Sequence, residues 1–306
     1  MIISGGEEDI EHFTSKADRL LETVLSTSKG GAIHLIFITE ESSVPTIAKH
    51  VESAFARALR ERILFNSETW KLVKGRIFRI PKLRVEFVSM ASITSRHRVK
   101  IEQMKKHFNN YNDWYKMKGD PQWAWMPAAK YNHDLFYLSP FYHIDFPLDK
   151  LIVTDTDIEF KFSIDLLHAQ FSLFSTNHLY SLGPDLTPFY ADRLFDFRLL
   201  HPETHLGLPG ELQGVNTGVV LLHLERMRQS EKFNRYLEPE VVDQLCEKFS
   251  FTGFIGDQDW WNLVVWDSPE LLHPLPCSFN FQTTEQFNTG PWKEVGSLKI
   301  TIYDAM

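Results

Sequence analysis

Cysteine is nearly absent from this sequence: Cys246 and Cys277 are the only two in 306 residues. Two thiols exclude a disulfide framework and a cysteine-based zinc site, and leave either one disulfide or two buried thiols. Positive charge is also short, with 32 Lys and Arg against 40 Asp and Glu, a formal net charge of −8 spread along the chain. That excludes a general nucleic-acid binder, which carries a basic stripe, but not a phosphate-bearing ligand neutralised through a carboxylate-held metal ion. No segment approaches the roughly 18 consecutive apolar residues of a membrane-spanning helix. Met1–Ile10 has neither the basic start nor the apolar stretch of a secretory signal. No Asn-x-Ser/Thr acceptor for N-glycosylation occurs in the chain.

What is present is a globular composition, 43% hydrophobic and 13% aromatic, enough to bury a large core. No Gly/Ser/Pro-rich linker divides it. The reading is a polar helix or arm over residues 1–31 and a single domain over 32–306. Ala32–Thr39 (AIHLIFIT), Leu83–Ser89 (LRVEFVS), Lys150–Thr154 (KLIVT) and Gly218–Leu224 (GVVLLHL) are short apolar, β-branched runs and read as strands. Shorter strands are expected near 177–182, at Leu271–Leu275 and at Leu298–Ile302. Helical spacing runs over 7–28, Thr46–Leu64, 93–119, Ala128–Leu138, Ser163–His168, Glu225–Glu247 and onward from Asp257. This alternation predicts an α/β fold: a Rossmann-like, mostly parallel sheet with helices on both faces.

Three short segments carry candidate chemistry. Asp155-Thr156-Asp157 directly follows the KLIVT strand. Ligands of open α/β sheets bind outside the carboxyl ends of strands. Two carboxylates there suit one hard divalent cation, which completes its shell with phosphate and water. A diphosphate leaving group needs such an ion. The alternative is a capping or turn aspartate pair. Gly214-Val215-Asn216-Thr217-Gly218 leads into GVVLLHL. It reads as an ordinary turn before a strand, or as a loop whose backbone approaches a ligand beside the Asn216 amide. Gly256-Asp257-Gln258-Asp259 opens a Trp-rich helix. Asp257 fits an N-cap; alternatively, Asp257 or Gln258 orients sugar hydroxyls or stabilises an oxocarbenium-like centre. Trp260 and Trp261 either stack on a sugar or belong to the core.

Together these residues resemble family 8 glycosyltransferases of GT-A fold, above all the xyloside xylosyltransferase branch. The resemblance runs from about Ile33 to Ile300 and is most specific in Leu208–Ser230 (LPGELQGVNTGVVLLHLERMRQS) and Phe251–Asn262 (FTGFIGDQDWWN). It implies that Asp155 and Asp157 bind Mn²⁺ (or Mg²⁺) and the diphosphate of UDP-xylose. Thr39 would line the uridine pocket and Thr156 would lie near the ribose. Asn216, with Thr217 and Gly218 beside it, would hold the donor sugar, as would the catalytic pair Asp257 and Gln258. Trp260 and Trp261 would lie toward the acceptor. The implied reaction is retaining transfer of α-1,3-linked xylose onto xylose carried by O-linked glucose in EGF-like repeats such as those of Notch, in the endoplasmic reticulum or Golgi lumen. Retention admits a double displacement, with Asp257 or Asp259 as nucleophile, or front-face attack. The uncharged Gln258 at the motif's centre favours the second.

Two departures accompany the resemblance. The family's membrane anchor is not seen, and no His follows Leu298–Ile300, where the family has a His-Gly motif supplying a third metal ligand. The reading is a truncated or divergent C-terminus, with Asp304 the only nearby hard oxygen ligand. Alternatives are therefore a glucoside xylosyltransferase or other family 8 enzyme, a nucleotide-binding but catalytically impaired relative, or a scaffold protein using Trp123–Trp125 to hold a partner.

Overall fold

A computed structural model describes residues 2–3, 18–25, 27–28, 32–69, 83–109, 133–187 and 189–282. Trp123–Trp125, Leu298–Ile302 and Asp304 lie outside the described residues.

The strands form two groups. In the first, β1 (Ile2–Ile3), β2 (Ile33–Thr39) and β3 (Leu83–Ser89) pair in parallel, with β2 and β3 in register from Ile33↔Leu83 to Thr39↔Ser89. In the second, the order is β4 (Leu151–Thr154), β6 (Val215–Leu222), β5 (Tyr180–Pro184), β7 (Leu272–Pro274). Here β6 runs antiparallel to both β4 and β5, while β5 and β7 are parallel. The first sheet is thus parallel, and the second is mixed around β6.

The period-two alternation of strand side chains puts apolar residues on both faces of each sheet. On β2, Phe37 packs with Ile47, Val51 and Ala54 of helix α1 (Val44–Thr69), while its neighbour Ile38 belongs to the main core on the other side. On β6, Val219 and Leu221 meet Leu167 of the short helix Ile164–Ala169 on one face, whereas Val220 and Leu222 face the main core. Helices therefore cover both faces, as the α/β reading expects. Helix α2 (Met90–Phe108) buries Met90, Ile93, His97, Ile101, Met104 and Phe108, a spacing of three and four residues that makes one continuous stripe.

Several boundaries differ from the sequence reading. The GVNTG segment is not a turn: Val215 already pairs with Pro184 and Asn216 with Gly183, so β6 begins there. Within Ala128–Leu138, the described part holds only a 3₁₀ turn, Asp134–Tyr137. The helix expected over Glu225–Glu247 is three pieces: Leu224–Gln229, Glu231–Arg235 and α3 (Pro239–Lys248). Ser230 causes the first break, because its hydroxyl accepts from the Phe233 N–H at 3.1 Å and starts a new helix. Pro239 causes the second, since a proline fits a first turn and not a helix interior. The two thiols are free, Cys246 buried and Cys277 half-buried. Among the described residues no helix is long and apolar enough to cross a membrane.

Candidate active site

The antiparallel course of β6 builds the site. Because β6 runs against β4 and β5, its first residues lie beside the carboxyl ends of both neighbours. Thr154 pairs with Val219, and the next residue, Asp155, donates its N–H to the Gly218 carbonyl at 2.9 Å. At the other edge Pro184 pairs with Val215, and Asp185 donates its N–H to the Gly214 carbonyl at 2.9 Å. Gly214 makes this approach possible, since a Cβ there would lie 2.6 Å from Tyr190 Cβ.

Helix α4 (Asp257–Asp267) closes the site from below. Gly256 enters it at φ +69°, where a Cβ would sit 2.5 Å from the Phe136 carbonyl oxygen. Asn262 ties the helix to β6 as a strand would: its Oδ1 accepts from the Val215 N–H at 2.7 Å and its Nδ2 donates to the Val215 carbonyl at 2.9 Å. These contacts set Gln258 against Thr217, whose N–H and hydroxyl both donate to Gln258 Oε1, at 3.0 and 3.1 Å. Gln258 Nε2 in turn donates to Asp185 Oδ2 at 3.2 Å. Asn216 joins the same group: its side chain hydrogen-bonds Asp185, and its Oδ1 accepts from the Gly218 N–H and from Asn280 Nδ2, both at 2.9 Å.

Asp257, half-buried, accepts a hydrogen bond from the Ser139 hydroxyl, and that hydroxyl accepts from Trp261 Nε1 at 2.8 Å. Burial pushes the Asp257 carboxyl up to about 7; the Ser139 hydrogen bond opposes this and the charge of Asp155 adds to it. Asp155 and Asp257 are therefore near enough for their charges to oppose each other. Tyr142, buried beside them, has its phenol pushed well up by burial first and then by the charges of Asp257, Asp145 and Asp155. Its hydroxyl has no hydrogen-bond partner among the described residues. Asp155 and Asp157 are exposed and Thr156 is half-buried, in the turn after β4.

The structure thus gathers Asp155, Asn216, Thr217, Gly218, Asp257 and Gln258 around the start of β6. Thr39 stands at the carboxyl end of β2, buried, its hydroxyl without a partner among the described residues. Trp260 and Trp261 are corrected: each is 0% exposed, so neither offers a face to an acceptor. Their rings meet at 4.9 Å, Trp261 packs on Tyr180 at 4.9 Å, and Trp260 Nε1 donates to the Tyr236 carbonyl. Asp259 is likewise enclosed, bonded to the Tyr190 hydroxyl and the Ile255 N–H. Asp185, Ser139, Tyr142 and Asn280 were missed in the sequence. For Asp185 a signal existed, because it ends a strand just as Asp155 does.

Comparison with known proteins decides the kinship. Human xyloside xylosyltransferase 1 is 33% identical over 205 residues, 66% of this chain and 48% of that protein. The crystal structure of the mouse xyloside xylosyltransferase 1, apo form, superposes with a TM-score of 0.73 at 27% identity, covering 96% of this chain and 90% of that one. The chain is a GT-A glycosyltransferase homologue of xyloside xylosyltransferase. A xylosyl- and glucuronyltransferase, LARGE2s of Danio rerio, is 30% identical over 183 residues, 58% of this chain and 23% of that protein. The chain spans about half the length of the xyloside xylosyltransferases it matches. No family model matches it.

Proposed function

We propose that this chain is a retaining glycosyltransferase that moves xylose from UDP-xylose to a xylosyl acceptor, forming an α-1,3 linkage on O-glucosylated EGF-like repeats in the endoplasmic reticulum or Golgi lumen. The observation that carries the reading is the meeting of Asp155, Asn216 and Gln258 at the start of β6, in a fold shared with xyloside xylosyltransferase. Donor, acceptor, linkage and compartment follow from that kinship.

The residues present fit a divalent ion. Asp155 and Asp157 are two hard oxygen ligands on an exposed turn, and the Asp155 charge already weighs on Asp257. Among the described residues no three His, Cys, Asp or Glu side chains come together; beyond two carboxylates such an ion draws on ligand phosphate and water. Asp155 and Asp157 would hold Mn²⁺ or Mg²⁺, which when bound neutralises charge developing on the diphosphate.

The chain's own residues then do the following. Asn216, fixed by Asn280 and the Gly218 N–H, presents its carboxamide toward the donor sugar. Asp257, poised near neutrality, hydrogen-bonds a sugar hydroxyl while Ser139 holds its other side. Neither carboxylate is free for a double displacement: Asp259 is enclosed, and Asp257 is held by the Ser139 hydroxyl. Front-face attack, with the leaving diphosphate taking the acceptor's proton, is the route these groups support.

The test is calorimetric titration of UDP with and without Mn²⁺, followed by UDP-xylose turnover with a xylosylated acceptor. The expected results are metal-dependent UDP binding and xylose transfer. Asp155→Asn or Asp157→Asn should abolish the metal dependence while leaving the melting temperature within about 1–2 °C, because surface changes cost little stability. UDP binding that ignores Mn²⁺, or that survives both substitutions, refutes the metal assignment. Metal-dependent binding without turnover marks a nucleotide-binding relative instead.

A further inference from the structure

We propose that Asp185 is a positioning residue for Gln258, fixing which end of its carboxamide faces the cleft. Both side chains are enclosed, Asp185 being 8% and Gln258 7% exposed. A carboxamide has two acceptor positions on oxygen and two N–H donors. Thr217 takes both positions on Gln258 Oε1, with its N–H at 3.0 Å and its hydroxyl at 3.1 Å. One N–H is spent on Asp185 Oδ2 at 3.2 Å. The other N–H lies toward the Tyr190 phenol, and no oxygen position is left over.

The orientation is enforced from both ends. The Thr217 backbone N–H is a donor that cannot turn into an acceptor. Burial pushes the Asp185 carboxyl up, but hydrogen bonds from Thr187, Asn216 and Gln258 oppose that and hold it as their acceptor. Turning the amide over would set its NH₂ against the Thr217 N–H and its oxygen against the Asp185 carboxylate, so both contacts would become repulsive. Asp185 is itself immobile: its Oδ1 accepts from the Thr187 N–H at 2.7 Å and its own N–H is bonded to the Gly214 carbonyl. The sequence expectation that Gln258 steadies an oxocarbenium-like centre would use the amide oxygen, and that oxygen is already occupied. On the glycosyl-transfer reading, on which this inference rests, Gln258 acts as a donor instead, turning the N–H that lies toward Tyr190 to an oxygen of the sugar or of the leaving group.

The experiment has a spectroscopic and a kinetic arm. In protein labelled with ¹⁵N at glutamine, the Gln258 side-chain pair is identified by its loss in Gln258→Ala. Asp185→Asn, which replaces an acceptor-only group by one that also donates, should move that pair. Thr217→Val, which removes one donor from the opposite end, should move it too and serves if Asp185→Asn does not fold. In UDP-xylose turnover Asp185→Asn should lower kcat about tenfold with little change in KM, an effect of one hydrogen bond's size. In the Gln258→Ala background the same change should cost nothing further. A Gln258 pair unmoved by either substitution overturns the proposal. So does an Asp185→Asn penalty equally large without Gln258, which would make Asp185 merely structural or a ligand contact in its own right. If the wild-type protein turns over no UDP-xylose, the glycosyl-transfer reading fails by itself, and the resonance shifts still decide whether Asp185 holds Gln258.

Discussion

Replacing Asp259 by Asn should flatten much of the fall in stability between acid and neutral pH. Asp259 is 0% exposed, and burial pushes its carboxyl from 3.8 up to about 7 against the hydrogen bonds from the Ile255 N–H and the Tyr190 hydroxyl. The folded protein therefore holds a proton that the unfolded chain gives up between those values. Stability from this group is complete below about pH 4 and is lost as pH rises toward 7. Three units at about 1.4 kcal/mol each make roughly 4 kcal/mol, of which about 3 fall between pH 5 and 8. Asn keeps the shape and carries no charge. Its oxygen can accept from the Ile255 N–H while its NH₂ donates to the Tyr190 oxygen. Urea denaturation of both proteins at pH 5 and pH 8 measures the difference. The variant should be close to wild type at pH 5 and more stable by up to about 3 kcal/mol at pH 8. Part of the slope remains in both proteins, because Asp257 is also raised to about 7. Parallel losses in the two proteins would refute the reasoning, since Asp259 would then contribute no proton.

Ser139→Ala should cost about 1–3 kcal/mol by stranding the buried Trp261 N–H, read by urea denaturation. It should also raise the titration of Asp257, whose hydrogen bond from Ser139 holds it down, and move the acid limb of the pH–rate profile upward. Gly256→Ala should destabilise by at least about 1–3 kcal/mol, because its φ of +69° and the Phe136 carbonyl 2.5 Å from the new Cβ both oppose a side chain. Calorimetry should then show weaker UDP binding, as the start of α4 is displaced.

Local sequence carried the parts of this molecule whose causes are local. The β-branched runs at β2, β3 and β4 are strands, and Asp155 follows β4 as the strand-end rule requires. The start of β6 was hidden because Gly and Asn disfavour strands. Val215 is a strand residue through its pairing with Pro184, and the Asn262 side chain, 47 positions away, holds its other edge. Asp185 was hidden in a stretch rich in Pro and Gly, and its value depends on Gln258, 73 positions away. Trp260 and Trp261 had two local readings, stacking platform or core, and only the packing of Tyr180, Phe233 and Tyr236 around them chooses the second.

The Asn262 bridge has a consequence for selectivity. It bonds both backbone groups of Val215 and also donates to the Gln258 carbonyl at 2.8 Å, so β6 and α4 share one frame. Asn216 and Gln258 then keep a fixed spacing, and the wall they form works as a gauge rather than a jaw. On the proposed reading of the site, a donor larger by one hydroxymethyl group would meet that gauge unrelieved. Discrimination between a pentose and a hexose would be built into the backbone frame, at roughly the 1–3 kcal/mol that one extra carbon is worth in a rigid pocket.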